Sequence, residues 1–218
     1  MPTKAELEAQ LNDLSHQVRR MDRALNQASI DLASIPERLV HYPTPHIDPR
    51  SAEAIARGLA EWEQTIIDPD RRINTYIRTQ AGIGWAWEKS YEKNGQFAWC
   101  GAFAAFCWTA VKLDLRKKIF PSCYRLYSNW SQTSRAIQPK LMSPGDIVVV
   151  YSAKRSKQGD HITICVEAPN CDGVFKTVEG NAHGTLGDGS HGEGVIRKER
   201  NLNEVAHVYR LLGEDFDE

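Results

Sequence analysis

The chain predicts an α+β fold: a long N-terminal helix, then short helices, then a small antiparallel curled sheet. Three observations predict it. Apolar residues between Leu7 and Leu32 recur at alternating intervals of 4 and 3, the period of a helical seam. The run from Phe97 to Trp108 is apolar on every side, as a buried helix is. From Ser143 onward, β-branched runs alternate with turn signals and no helical pattern separates them, which excludes a doubly wound parallel sheet.

The first segment, residues 1–36, carries Leu7, Leu11, Leu14, Val18, Met21, Leu25, Ala28 and Leu32 in the a and d positions of a coiled coil. Pro36 closes it. A single amphipathic helix of this length is marginal, so the seam implies a partner: a second copy through residues 7–32, or the chain's own second domain. Residues 37–69 follow as a proline-rich linker and a short helix, which Ser51 should cap and which should run to about Ile67. Residues 70–218 form the main domain. There Ile73, Tyr76 and Ile77 start a helix that Gly82 and Gly84 end, and Trp85, Trp87 and Tyr91 read as core. The helix opened by Cys100 should end near Leu113, and another is expected over Tyr124–Trp130. Strands are expected at Ile147–Tyr151, His161–Glu167, Val174–Glu179, Val195–Lys198 and Val205–Leu211, with a glycine-rich loop from Gly180 to Gly194.

Composition narrows function. Over 218 residues the net charge is −1, which argues against binding nucleic acid through phosphate contacts. No stretch of 18 apolar residues exists to cross a membrane, and the start of the chain lacks the apolar core of a signal peptide. The five cysteines form no CxxC pair, and their spacing with His161 and His183 fits no standard zinc pattern, so no metal or cofactor is expected.

The chemistry concentrates on Cys100. The first turn of a helix has unpaired N–H groups and a positive end, which favour a thiolate. His161 opens a strand, and Glu179 or Asn181 closes the next one, where either can orient the imidazole. The Cys100 N–H and Gln96 are candidate oxyanion donors. These are the parts of a thiol hydrolase.

Four segments share this order with a known group. Trp99-Cys100-Gly101-Ala102-Phe103, Pro144-Gly145-Asp146-Ile147-Val148-Val149, Gly159-Asp160-His161-Ile162-Thr163-Ile164 and Val178-Glu179-Gly180-Asn181-Ala182 resemble the CHAP branch of the NlpC/P60 papain-like superfamily. The resemblance spans roughly residues 70–212. It implies a peptidoglycan hydrolase, an N-acetylmuramoyl-L-alanine amidase or a peptide endopeptidase. Cys100 would be the nucleophile, His161 the base and acid, Glu179 the orienting group and Asn181 a fourth polar member. Asp146, in the Pro-Gly-Asp turn, reads as structural. The implied partner is bacterial peptidoglycan, reached from the cytoplasm by phage-type lysis, virion delivery or a non-Sec route. Two other readings fit the residues: a silent papain-like adaptor assembled through its coiled coil, and a thiol protease or deamidase acting on proteins.

Overall fold

Asp48 starts the helix α1 (Pro49–Glu63) by accepting a hydrogen bond from the Arg50 N–H at 2.9 Å, with Pro49 in the first helical position. The cap therefore lies three residues before Ser51, and the helix ends at Glu63, short of Ile67. The computed structural model describes residues 47–67, 71–77, 98–112, 115, 122–151 and 159–216. The heptad seam over 7–32, the end of the second helix, Trp85, Trp87, Tyr91 and Gln96 lie outside the described residues. Ala54, Gly58 and Glu61 form the buried stripe of α1, at intervals of 4 and 3. This helix belongs to the same compact unit, Ile47–Glu218, as the strands.

Among the described residues three further α-helices follow: α2 (Arg71–Thr75), α3 (Cys100–Cys107) and α4 (Cys123–Trp130). All eight residues of α3 are buried. It stops at Cys107, well before Leu113, because the next backbone groups bond elsewhere. Val111 bridges to Phe216, and the Lys112 N–H donates to the Asp215 carbonyl at 2.9 Å. An aromatic cluster seats α3. Tyr76 packs against Trp99, Phe103 and Phe106 at centroid separations of 5.9, 5.5 and 4.7 Å. Each such pair adds about 0.5–1.5 kcal/mol to what burial supplies.

The strands are β1 (Ala136–Ile137), β2 (Ile147–Val150), β3 (His161–Glu167), β4 (Val174–Thr185), β5 (His191–Asn201) and β6 (Val205–Tyr209). They form one antiparallel sheet in the order β1-β6-β2-β3-β4-β5. Central β2 is buried on both faces. Val149, with Ile162, Ile164 and Val178, joins the core beneath α3; Val148, with Cys165, Phe175 and Val208, builds a second core on the other side. Irregularities in β2, β3 and β4 bend the sheet.

The stretch from Gly180 to Gly194 is mostly strand. β4 continues to Thr185 and β5 begins at His191, with Ala182 opposite Gly194 and Gly184 opposite Gly192. Glycine weakens a strand but keeps its N–H and C=O, and here each strand supplies the other with partners. Leu186, Ala182 and Ile196 give the hairpin its own small core. His183 and His191, placed in a loop by sequence alone, sit at its tip with rings 6.3 Å apart. No helix of the described residues is long and apolar enough to cross a membrane.

Candidate active site

Cys100 is the first residue of α3, and its N-cap, Trp99, makes no side-chain capping bond. His161 is the first residue of β3, and its ring turns from the strand end towards the thiol. Burial alone would push the Cys100 thiol up. The His161 ring and the backbone N–H groups of Ile162 and Gly101 outweigh it and hold the thiol below the usual range.

Glu179 completes the line. Its carboxylate is fully buried and lies 3.1 Å from His161 Nε2, which leaves Nδ1 as the ring nitrogen for the thiol. Burial disfavours the imidazolium, but Cys100 and Glu179 together raise His161 to about 9. Burial also disfavours an ionised Glu179, yet hydrogen bonds from Arg200 and His161 hold it well below the usual carboxylate range. These neighbours thus shift the balance from the neutral pair towards thiolate and imidazolium.

Arg200 is the residue that sequence reasoning missed. Its Nε donates to Glu179 Oε1 at 2.6 Å and its NH2 to Oε2 at 2.7 Å, a bidentate clamp. Its NH1 donates to Glu204 Oε2 at 2.8 Å, and Glu204 in turn accepts from the Asn201 N–H at 2.8 Å. Thr177 Oγ1 donates to Glu179 Oε1 at 2.5 Å. One signal lay in the sequence: Asn201-Leu202-Asn203-Glu204 has capping-box spacing, and the structure closes that box.

Asn181 stands apart from this chain of contacts. Its φ is +59°, within the irregularity between Glu179 and Ala182, so the two-residue alternation that would set it beside Glu179 is broken. Among the described residues no hydrogen bond joins Asn181 to His161, and the contact belongs to Glu179. Gly180, between them, faces α3. A Cβ there would lie 2.5 Å from Phe103 Cβ and 2.5 Å from the Trp99 ring. The Glu-Gly-Asn segment therefore combines an ion partner, a close approach of backbone to helix and a left-handed bulge residue.

Asp146 has a different task. It accepts from both Nε and NH2 of Arg210 at 2.9 and 2.8 Å and from the Ser143 N–H at 2.7 Å. It fixes the Pro-Gly-Asp turn, in which Gly145 takes φ +92° and lies against Ser51 of α1. Cys165 is buried in the second core and Cys171 is exposed. Among the described residues no three His, Cys, Asp or Glu side chains converge in a way that could hold a metal ion.

Comparison of the chain with protein-family models, with curated proteins and with solved structures finds no match.

Proposed function

We propose that the protein is a cysteine peptidoglycan hydrolase of the CHAP type, cutting an amide bond in the stem peptide or between muramic acid and L-alanine. One observation carries the reading. A buried thiol is held below its usual range by an imidazole, which is itself oriented by a buried carboxylate. Such an arrangement is costly to bury without use, because each ionised group must be compensated. The peptidoglycan substrate rests on the resemblance of the four segments, which also suggests a papain-like domain.

The Cys100 thiolate attacks the amide carbon, and electron density moves onto the carbonyl oxygen. His161 gives its proton to the leaving amine as the tetrahedral intermediate collapses to a thioester. Neutral His161 then takes a proton from water, which attacks the thioester and releases the carboxylate product and the thiolate. Glu179 holds the ring in line throughout. The heptads over residues 7–32 are read as a homo-oligomeric coiled coil that presents several catalytic heads to an insoluble polymer.

The test is digestion of purified peptidoglycan by the full chain, with the soluble products identified by mass. New amine and carboxylate ends at one bond are expected, and none with Cys100→Ala. Equal release by a folded Cys100→Ala protein would remove the mechanism. A wild-type protein that alkylates selectively at Cys100 yet leaves peptidoglycan intact would remove the substrate and turn attention to proteins. Sedimentation of the full chain tests the assembly; a monomer mass would end that part.

A further inference from the structure

Glu179 stands behind an imidazole that must release a proton. A bare buried carboxylate 3.1 Å from His161 Nε2 would stabilise the imidazolium strongly and resist that release. Here both of its oxygens are already engaged by Arg200, through Nε at 2.6 Å and NH2 at 2.7 Å. The guanidinium is only 9% exposed, so solvent screens little of this pairing. Its remaining arm is fixed by Glu204, which the Asn201 cap holds in place.

We propose that Arg200 is a positioning residue that offsets part of the charge Glu179 presents to His161. His161 is thereby held in direction without being locked as an imidazolium. The inference rests on the Cys100–His161–Glu179 reading of the site, though not on the identity of the substrate. The position of Arg200 follows from the hairpin. Glu179 stands opposite Ile196, and the two-residue period carries the same face of β5 through Lys198 to Arg200. The side chain then reaches back along the strands to the carboxylate.

The charged and titratable groups around His161 give the expected signs. Cys100 faces it from α3, Glu179 from β4, and Arg200 stands behind Glu179 on β5 with Glu204 beyond. Cys123, at the start of α4, is within electrostatic range of Cys100 and of Asp160. Removing the Arg200 charge unmasks Glu179 and favours the imidazolium. Removing the Glu179 charge alone leaves Arg200 unbalanced near the ring and disfavours it. Removing both sets these effects against each other.

The experiment is the pH profile of Cys100 alkylation by iodoacetate in the full chain. The reagent's carboxylate is drawn to the imidazolium, so the falling limb of the profile reports His161. In the wild type that limb should lie near 9, where His161 is placed. Arg200→Met should move it up by about one pH unit, and Glu179→Gln should move it down by about as much. The double variant should return it to within about half a unit of wild type. Arg200→Lys, which keeps the charge and loses the fork, should leave the limb nearly in place.

An unmoved or lowered limb in Arg200→Met would overturn the inference. So would a limb in Arg200→Lys displaced as far as in Arg200→Met. If Arg200→Met does not fold, the double variant and Arg200→Lys decide the matter, since neither leaves Glu179 buried without a charge partner. If the limb shifts as described while peptidoglycan stays intact, only the substrate reading fails. If peptidoglycan is cut and the limb ignores Arg200, only this inference fails.

Discussion

Cys100 and Cys107 occupy the two ends of α3, almost two turns apart, and both are buried, at 6% and 1% exposure. Their thiols are driven in opposite directions. Burial sends Cys107 well above the usual range, with Glu61 adding to the rise and Arg57 only partly opposing it. Burial acts on Cys100 too, but the His161 ring and two backbone N–H groups reverse its effect. Helix, depth and residue type are shared. What separates a reactive thiol from an inert one is the set of groups that the sheet brings to one end of the helix.

The comparison breaks most decisively by exchange of the two thiols for alanine. Cys100→Ala should lower turnover by at least about 10⁴-fold, the scale of losing a nucleophile. Cys107→Ala should leave turnover within about twofold and cost roughly 1 kcal/mol of stability from lost packing. Mass-resolved alkylation near neutral pH should label Cys100 long before Cys107. Equal labelling of both would mean that the environment of α3 does not distinguish them.

Each end of α3 also meets a glycine, and the two contacts differ. A Cβ on Gly180 would stand 2.5 Å from Phe103 Cβ, an atom fixed to the helix backbone. A Cβ on Gly58 would meet Val178 Cγ1 at 2.8 Å and Cys107 Sγ at 3.3 Å, atoms that can turn away. Gly180→Ala should therefore cost about 2–3 kcal/mol and shift the Cys100 end of the helix, while Gly58→Ala should cost about 1 kcal/mol. Urea unfolding measures both. A larger loss at Gly58 would show that the Cys107 end is the more tightly seated.

How much of this was legible follows from the range of the signals. The bounds of β3, the start of α3 at Cys100 and the pairing of Cys100 with His161 could be read from local pattern, which left Glu179 and Asn181 both open as the orienting group; Glu179 followed from the resemblance alone. The local readings depend on alternation, turn residues and order along the chain. Arg200 could not be read so, because its contact exists only if β4 and β5 pair through the glycine-rich stretch. Reading residues 180–194 as a loop conceals the register that sets Ile196 opposite Glu179. The end of α3 was hidden likewise, since its backbone partners come from Asp215 and Phe216 at the other end of the chain. Gln96, the expected oxyanion donor, lies outside the described residues.

Stability against pH separates the ends of the helix again. His161 has its folded pKa raised to about 9 from an ordinary 6.5. Its contribution is fully present below 6.5 and is lost as pH rises through 9. Glu179 has its folded pKa lowered, so its contribution is present above its ordinary 4.5 and is lost as pH falls below that towards the lowered value. Between pH 6.5 and 9 the Cys100 thiol, held below its usual range, gives up a proton on folding and offsets the one His161 gains. Wild-type stability should therefore change little, whereas Cys100→Ser, which gives up no proton, should show the histidine's loss. Cys107→Ala should leave the slope unchanged over the same range. Equal slopes in the wild type and in Cys100→Ser would place the linkage elsewhere.

The smallest expected effect decides which polar residue of the Glu-Gly-Asn segment serves Cys100. Asn181 holds φ at +59°, a conformation that costs most non-glycine residues about 1–2 kcal/mol and asparagine less. Its backbone conformation, rather than a contact with His161, explains why asparagine stands there. Asn181→Gly should then keep turnover within about twofold and change stability by a few tenths of a kcal/mol, whereas Asn181→Ala should lose about 1 kcal/mol. The alkylation profile of Cys100 should be the same in all three proteins. A displaced profile in Asn181→Gly, with stability retained, would give Asn181 a share in orienting His161 and would make the reactive end of α3 depend on two residues of β4 instead of one.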